Sequence, residues 1–299
     1  MIRIGIYFGG TKIEAAALGA DGRFLARVRT PNPGNYDAAL HAVRDLVRDV
    51  EAEVGATGSI GVGAPGSISP RTGLVRNSNS IWVNDRPFHE DLERVLGRPI
   101  RIANDANCLA LSEATDGAAA GAGVVFAAIL GTGCGGGLVA HGRLLEGRNG
   151  IAGEWGHSPL PWLLPNESPA LPCWCGRLGC LETYISGTGL SRDFQATTGE
   201  RRSAADIVQA ARREEPAAAD TLDRYVDRLA RGLAVIADIL DPDVIVLGGG
   251  MSNVVELYQR LPAAITGHVF ADVFDTPIVP AKHGDSSGVR GAAWLWPLE

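Results

Sequence analysis

Little in the 299-residue sequence would tie it to a membrane, a nucleic acid or an oxidising compartment. No apolar run reaches the roughly 20 residues of a membrane-spanning helix. No basic-then-apolar leader stands at the start, so a cytoplasmic location is expected. Positive charge is short: 27 Lys and Arg against 34 Asp and Glu give a net charge of -7. That balance argues against a surface built for nucleic acid. Cysteine is scarce and odd in number, at 108, 134, 173, 175 and 180, which does not read as a disulfide framework. Neither a low-complexity tail nor a long linker is visible. What remains is ordinary for a globular protein, 45% hydrophobic and 20% charged, long enough for two domains or one large one.

The pattern of elements alternates strands and helices. Ile2–Phe8, Ile13–Leu18 and Phe24–Arg29 read as strands joined by tight turns. The spacing of Leu40, Val43, Leu46, Val47 and Val50 predicts a helix over 38–54. Ile60–Gly63 and Ile100–Ala103 are short strands, and the second runs into Asn104-Asp105-Ala106-Asn107, where a helix begins with Asn104 or Asp105 as its cap. Gly117–Gly123 is the best hinge candidate. Beyond it, "AAILGTGCGGGLVA" repeats the strand, glycine turn, strand layout of "IYFGGTKIEAAAL", which points to an internal duplication. Leu222, Val226, Leu229, Leu233, Ile236 and Leu240 form one continuous apolar face and predict a helix over 216–240, ended by Asp241-Pro242. A buried strand, Val244–Leu247, follows, then Gly248-Gly249-Gly250 and a helix from about Ser252.

Three glycine turns follow apolar strands: Gly9-Gly10-Thr11-Lys12, Gly131-Thr132-Gly133 with Gly135 beyond it, and Gly248-Gly249-Gly250. Such turns let backbone N–H groups approach a phosphate, and each is equally a tight hairpin. Neither the P-loop nor the dinucleotide fingerprint is present. Asp105, at a strand-to-helix junction, has the placement of a general base for phosphoryl transfer to a hydroxyl, or of a plain helix cap. "GEWGH" and "CWCGRLGCLE" supply His157, Cys173, Cys175 and Cys180, a complete tetrahedral set for a structural zinc that would hold Glu154 and Glu182 in place. Cys108 and Cys134 read as small buried apolar residues. The remaining histidines, such as His268 and His283, read as surface or capping residues.

Together, "PGSISPRTGLVRNSNS", "RIANDANCLALSEATDGAAAGA", "GTGCGGGLV", "GEWGH", "CWCGRLGCLETYISGTG", "DPDVIVLGGGMSN" and "HGDSSGVRGAAWLWP" resemble the ROK family (repressor, ORF, kinase) of bacterial sugar kinases, and look most like its fructokinase or manno(fructo)kinase branch. The resemblance covers the whole chain. It implies an α/β, two-domain actin-like (ribonuclease H-like) ATPase fold with the active-site cleft between domains. The expected division is 1–117 for the first domain and 118–287 for the second, with an inserted zinc loop at 153–182 and a C-terminal helix, 288–299, packed back on the first. It further implies an ATP-dependent kinase with Mg²⁺ and structural Zn²⁺, acting on a hexose such as D-fructose or mannose, as a homodimer. By the same resemblance Asp105 is the catalytic base, and Asn104, Glu154, His157 and Glu182 bind sugar. Gly9, Gly10, Thr11 and Lys12, with Gly131, Thr132, Gly133 and Gly135, face the phosphates, and Gly248 and Gly249 lie on the adenosine side. His157 would serve both sugar and zinc, beside Cys173, Cys175 and Cys180. The family's repressors carry a helix-turn-helix ahead of the kinase-like part; here the first strand opens the sequence, so a kinase is expected.

One residue departs from the family pattern. The motif has an aspartate two residues before Gly-Gly-Thr-Lys, where this sequence has Tyr7. A phenol is neutral at pH 7, with an ordinary pKa of about 10, and is a poor magnesium ligand. Two expectations follow: other carboxylates or water carry the metal, or the fold and sugar site survive while phosphoryl transfer is crippled. The second makes a sugar-binding protein with little kinase activity the rival reading.

Overall fold

β1 (Arg3–Phe8), β2 (Lys12–Leu18) and β3 (Phe24–Pro31) form an antiparallel meander. One face of β1 is wholly covered, with Ile4, Ile6 and Phe8 at zero exposure. α1 (Tyr36–Val54) crosses over, capped by Asn35 and stopped by Gly55 in the left-handed region, and returns the chain to β4 (Ser59–Ala64), parallel to β1. The apolar stripe read from the sequence is the buried one, with Val43 and Val50 at zero exposure. A small hairpin, β5 (Ser67–Ile68) and β6 (Val75–Arg76), and a nine-residue helix, α2 (Phe88–Leu96), precede β7 (Ile100–Asn104) and α3 (Asp105–Thr115). The first sheet has the order β3-β2-β1-β4-β7.

The same plan recurs. β8 (Val124–Leu130), β9 (Cys134–Ala140) and β10 (Arg143–Leu144) are followed by the helices α4 (Glu182–Ile185), α5 (Gly187–Thr198), α6 (Ala204–Arg212) and α7 (Pro216–Leu240). β11 (Val244–Gly248), α8 (Val255–Thr266), β12 (Ile278–Pro280) and α9 (Ser287–Trp294) complete the chain. The second sheet reads β10-β9-β8-β11-β12, with β11 parallel to both β8 and β12. Position by position this is the first sheet again, the topological form of the duplication seen in the two glycine-turn stretches. α7 has the limits that its apolar spacing predicts. The helix expected from Ser252 begins later, at Val255, because a short 3₁₀ turn over Gly250–Asn253 intervenes.

The computed structural model describes residues 2–296. It divides into two compact units, one of residues 1–121, 137–152 and 282–299, the other of residues 122–136 and 153–281. The first crossing falls inside the glycine-alanine stretch, at 121, four residues beyond the boundary expected from sequence. Residues 137–152 group with the first unit rather than the second. The expected C-terminal helix over 288–299 is helical from Ser287 to Trp294; positions 297–299 lie outside the described residues.

α9 is seated on the first sheet backbone to backbone. A Cβ at Gly5 in β1 would stand 1.9 Å from the Val289 carbonyl oxygen, and one at Gly61 in β4 would stand 1.8 Å from that of Ala292. Only glycine permits that approach. Trp296 Nε1 then donates to the Ile60 carbonyl at 2.7 Å. The chain leaves and re-enters the first unit beside one fully buried carboxylate, Glu113. It accepts from the backbone N–H groups of Ala118 (2.8 Å), Lys282 (2.9 Å) and His283 (3.1 Å), and from the Ser287 hydroxyl (2.9 Å). His283, expected as a surface or capping residue, reaches Asp116 Oδ1 at 3.0 Å, and Arg290 pairs with the same carboxylate.

Glu113→Ala leaves those buried donors without an acceptor. Each buried group left unpaired costs about 1–3 kcal/mol, so a loss of at least about 3 kcal/mol of unfolding free energy is expected. Urea denaturation measures it; a change under about 1 kcal/mol would show that water replaces the carboxylate.

Candidate active site

In the first unit the Gly9–Lys12 turn closes through the Gly9 N–H donating to the Lys12 carbonyl at 2.9 Å, and Asn32 Nδ2 donates to the Gly9 carbonyl at 2.7 Å. Gly10 and Thr11 are exposed, and Lys12 is half-buried. Tyr7 lies in β1 opposite Glu14 of β2, with Lys12 Nζ 5.9 Å from its ring centroid. Glycines flank the ring: a Cβ at Gly9 would come within 2.7 Å of Tyr7 Cε1, and one at Gly288 within 2.8 Å of Cδ2. The carboxylate nearest in register, Glu14, is buried and engaged by Arg27 at 2.5 Å and Lys12 at 3.7 Å. The residues around this turn therefore do not fit the role of a magnesium-holding aspartate.

At the β7–α3 junction, Asn104 is the cap. Its Oδ1 accepts from Ala106 N at 2.8 Å, and its Nδ2 donates to the Gly66 carbonyl at 3.1 Å. Gly66 sits at φ 86°, and a Cβ there would lie 2.5 Å from the Arg76 carbonyl oxygen, so this turn admits glycine alone. Asp105 follows as the first helical residue, half-buried, where a carboxylate is favoured by the helix N-terminus, and its Oδ1 also takes Ala106 N at 2.9 Å. Asn104 and Asn107 line a cavity of about 240 Å³ in this unit, with Phe8, Val83, Phe88 and Ile102 among its apolar walls. Cys108, beside it, is wholly buried, and burial, with Asp105 and Glu146 adding, pushes its thiol far up. Sequence reading singled out Asn104 and Asp105 within the motif that ends at Asn107.

The second unit gathers Glu154, His157, Glu182 and the three clustered cysteines. The Gly131–Gly133 turn is held by Gly187 N donating to the Gly131 carbonyl at 2.7 Å. Glu182, at the head of α4, accepts from Cys134 N at 3.0 Å and from Trp174 Nε1 at 2.6 Å. The first bond ties it to β9; the second ties it to the cysteine loop. Burial raises the Glu154 carboxyl above its ordinary value, with Glu182 adding to the rise and His157 opposing it. Trp155 donates to the Gly135 carbonyl at 2.9 Å, so this tryptophan is packing. Trp162 instead stacks on His268, with centroids 5.5 Å apart. Gly248, Gly249 and Gly250 close β11 as a turn of their own, with Gly249 at φ 79°.

His157 Nδ1 and the sulfurs of Cys173, Cys175 and Cys180 lie within 4.8 Å of one another. The Cys173–His157 distance is 3.7 Å and the Cys175–Cys180 distance 3.6 Å. A tetrahedron with Zn–S bonds of about 2.3 Å has sulfurs about 3.8 Å apart, so the donor set fits zinc. Burial and the neighbouring thiols push Cys180 up to about 12; crowded sulfurs of this kind ionise together when a cation is shared between them. The loop leading from His157 to Cys173 is pinned to α7. Glu167, 7% exposed, accepts from Arg228 Nε at 2.8 Å and Arg231 Nη2 at 2.6 Å, and Arg231 also donates to the carbonyls of Pro161 and Trp162. Burial alone would raise the Glu167 carboxyl; the two guanidiniums outweigh it and hold it below the usual range. This ion cluster was invisible in the sequence because Glu167 lies more than 60 residues from both arginines.

The ROK family model matches residues 3–299. The chain belongs to the ROK family. It is 42% identical over 296 residues to the N-acetyl-D-glucosamine kinase of Pectobacterium atrosepticum, covering 97% of each chain. It is 40% identical to the enzyme of that name from Vibrio cholerae, covering 97% of this chain and 98% of the other. Among solved structures, the ROK hexokinase of Thermus thermophilus superposes with a TM-score of 0.88 at 32% identity, over 98% of this chain and 97% of that one. A ROK glucokinase from Streptomyces griseus, solved with glucose and AMPPNP, gives 0.79 at 29% identity over 99% of both. The two-sheet α/β architecture is thus the actin-like ATPase fold of ROK sugar kinases. Among the described residues no helix is long and apolar enough to cross a membrane.

Proposed function

We propose that this chain, an ATP-dependent sugar kinase of the ROK family, phosphorylates N-acetyl-D-glucosamine at its 6-hydroxyl. One observation carries the choice of sugar: the full-length relatives from Pectobacterium and Vibrio are N-acetyl-D-glucosamine kinases. Fructose, which the motif resemblance favoured, is the competing substrate. An ADP-release assay with N-acetylglucosamine, fructose, mannose and glucose decides between them. N-acetylglucosamine is expected to lead in kcat/KM by at least about tenfold; if fructose leads, the sugar assignment falls while the kinase reading stands.

ATP supplies the phosphoryl group, and the residues of the chain do the rest. Asp105 takes the proton of the attacking hydroxyl from its fixed place at the head of α3, where Asn104 sets the junction. Glu154, His157 and Glu182 hold sugar hydroxyls, with Glu182 oriented by Cys134 N and Trp174. A sugar hydroxyl donating to Glu154 favours its charged form and offsets the burial that raises it. The exposed backbone of Gly10 and Thr11, with Gly131–Gly135, faces the phosphates, and Gly248 and Gly249 the nucleoside. His157, Cys173, Cys175 and Cys180 hold a structural zinc, which fixes the loop bearing Trp174.

Asp105→Asn is expected to keep the fold and ATP binding while kcat falls on the order of 10²–10⁴-fold. A near-normal rate would reduce Asp105 to a helix-terminal charge. For the metal, elemental analysis of protein purified without chelator should find one zinc per chain. Cys175→Ser should lower both zinc content and melting temperature, since closed thiolate sites couple metal binding to folding; a zinc-free protein of unchanged stability would refute the site.

Tyr7 favours a second reading, a sugar-binding protein with weak transfer. A neutral phenol cannot anchor the cation that spreads charge on the transferred phosphoryl. Tyr7→Asp is then expected to raise kcat strongly and lower the magnesium concentration needed, with sugar KM little changed, whereas Tyr7→Phe changes little. Brisk turnover by the unaltered chain, with no gain from Tyr7→Asp, would dismiss this reading.

A further inference from the structure

Trp174 stands between two of the clustered cysteines. Its turn is closed by Gly176 N donating to the Cys173 carbonyl at 3.0 Å and by Cys173 N donating to the Arg177 carbonyl at 2.9 Å. The residue is 66% exposed, yet its indole is held in one orientation. Nε1 donates to Glu182 Oε1 at 2.6 Å, and the ring meets that of His157 at 84°, with centroids 5.0 Å apart. Fixing an exposed side chain costs rotamer entropy, and leaving an indole in water forgoes its burial. A ligand that covers the ring offsets both. Most of an indole's surface lies on its two flat faces, so exposure of this size leaves a face open.

The neighbouring carboxylate indicates what covers it. Glu182 accepts from Trp174 Nε1 and from Cys134 N. An ionised carboxylate has about four acceptor positions, so about two remain, a set that suits two adjacent hydroxyls. A pyranose of gluco configuration carries its hydroxyls around the rim and C–H bonds on its faces. It can give its rim to the carboxylate and one face to the indole at once. We infer that Trp174 is the stacking platform of the sugar site: the C–H face of a gluco-configured pyranose lies on the indole while Glu182 accepts two of its rim hydroxyls. The inference rests on the reading of Glu182 as a sugar-holding residue and deepens it, adding an apolar contact to a set of polar ones. The turn that supplies Cys173 and Cys175 thereby also presents the ring.

The test compares the KM for N-acetylglucosamine and for ATP in the unaltered protein, Trp174→Ala and Trp174→Phe, with zinc content measured on each. Trp174→Ala should raise the sugar KM on the order of tenfold and leave the ATP KM unchanged. Trp174→Phe keeps an aromatic face without the N–H, so it should recover most of that loss. An unchanged sugar KM in Trp174→Ala overturns the platform. So does a Phe variant as impaired as the Ala variant, which would make Trp174 only the donor that orients Glu182. If Glu182→Gln leaves the sugar KM unchanged, the reading of Glu182 falls and the platform with it. If no hexose is turned over, or if Trp174→Ala loses zinc, acrylamide quenching of Trp162→Phe decides, since that protein keeps Trp174 as its one exposed indole among the described residues. Saturating N-acetylglucosamine should shield this indole and lower the quenching constant; an unchanged constant contradicts the platform.

Discussion

The first unit's site depends on what Asn104 does with its two ends. Its oxygen starts α3, and its nitrogen holds the carbonyl of Gly66, so a helix and a turn from different parts of the sheet are referenced to one amide. Asp105 and Asn107 inherit their positions from that pairing. One sits at the helix start, where negative charge is favoured; the other sits two residues on, in the lining of the cavity. An aspartate here could cap the helix but could not donate to Gly66, and a serine would be too short to do both. The demand on residue 104 is thus stricter than helix capping alone would make it.

The second unit reaches a comparable rigidity by different means. Glu154 and His157 stand on a stretch with little regular structure, which backbone pairing alone would leave loose, and Glu182 stands where that stretch meets α4. Three fastenings replace the missing ladder: the cysteine and histidine donor set, the Trp174–Glu182 bond, and the buried Glu167 ion cluster on α7. Removing one partner from a buried ion cluster is far more damaging than never having built it. The loop therefore holds its shape through specific chemistry, while the sheets of both units hold theirs through burial.

What the sequence revealed follows from how local each signal is. α7 was legible because Leu222 to Leu240 repeat within a single helix, and the cysteine cluster because three of its four donors fall in eight residues. The junction at 104–105 was legible as a strand running into a cap. α2 was not, since only Phe88 and Leu92 of its nine residues are buried and a proline stands at its start. Nor was the cavity, whose lining runs from Phe8 to Gly150. The motifs leave the choice of sugar open for a related reason. The recognisable motifs concern the phosphates and hydroxyls that all hexoses share, whereas a substituent at one carbon is read by scattered side chains.

The two glycines that bracket Tyr7 bear on what this sequence can vary. With the ring in place, a side chain at Gly9 or Gly288 would force the ring to shift, because each would-be Cβ stands under 3 Å from a ring carbon. The constraint runs one way: glycine accepts either a small acid or a large ring at position 7, while the ring in its present place accepts only glycine at 9 and 288. The aromatic at position 7 therefore couples two sites 279 positions apart in the chain: substitutions at Gly9 and Gly288 are expected to be tolerated better beside a small residue at 7 than beside the ring.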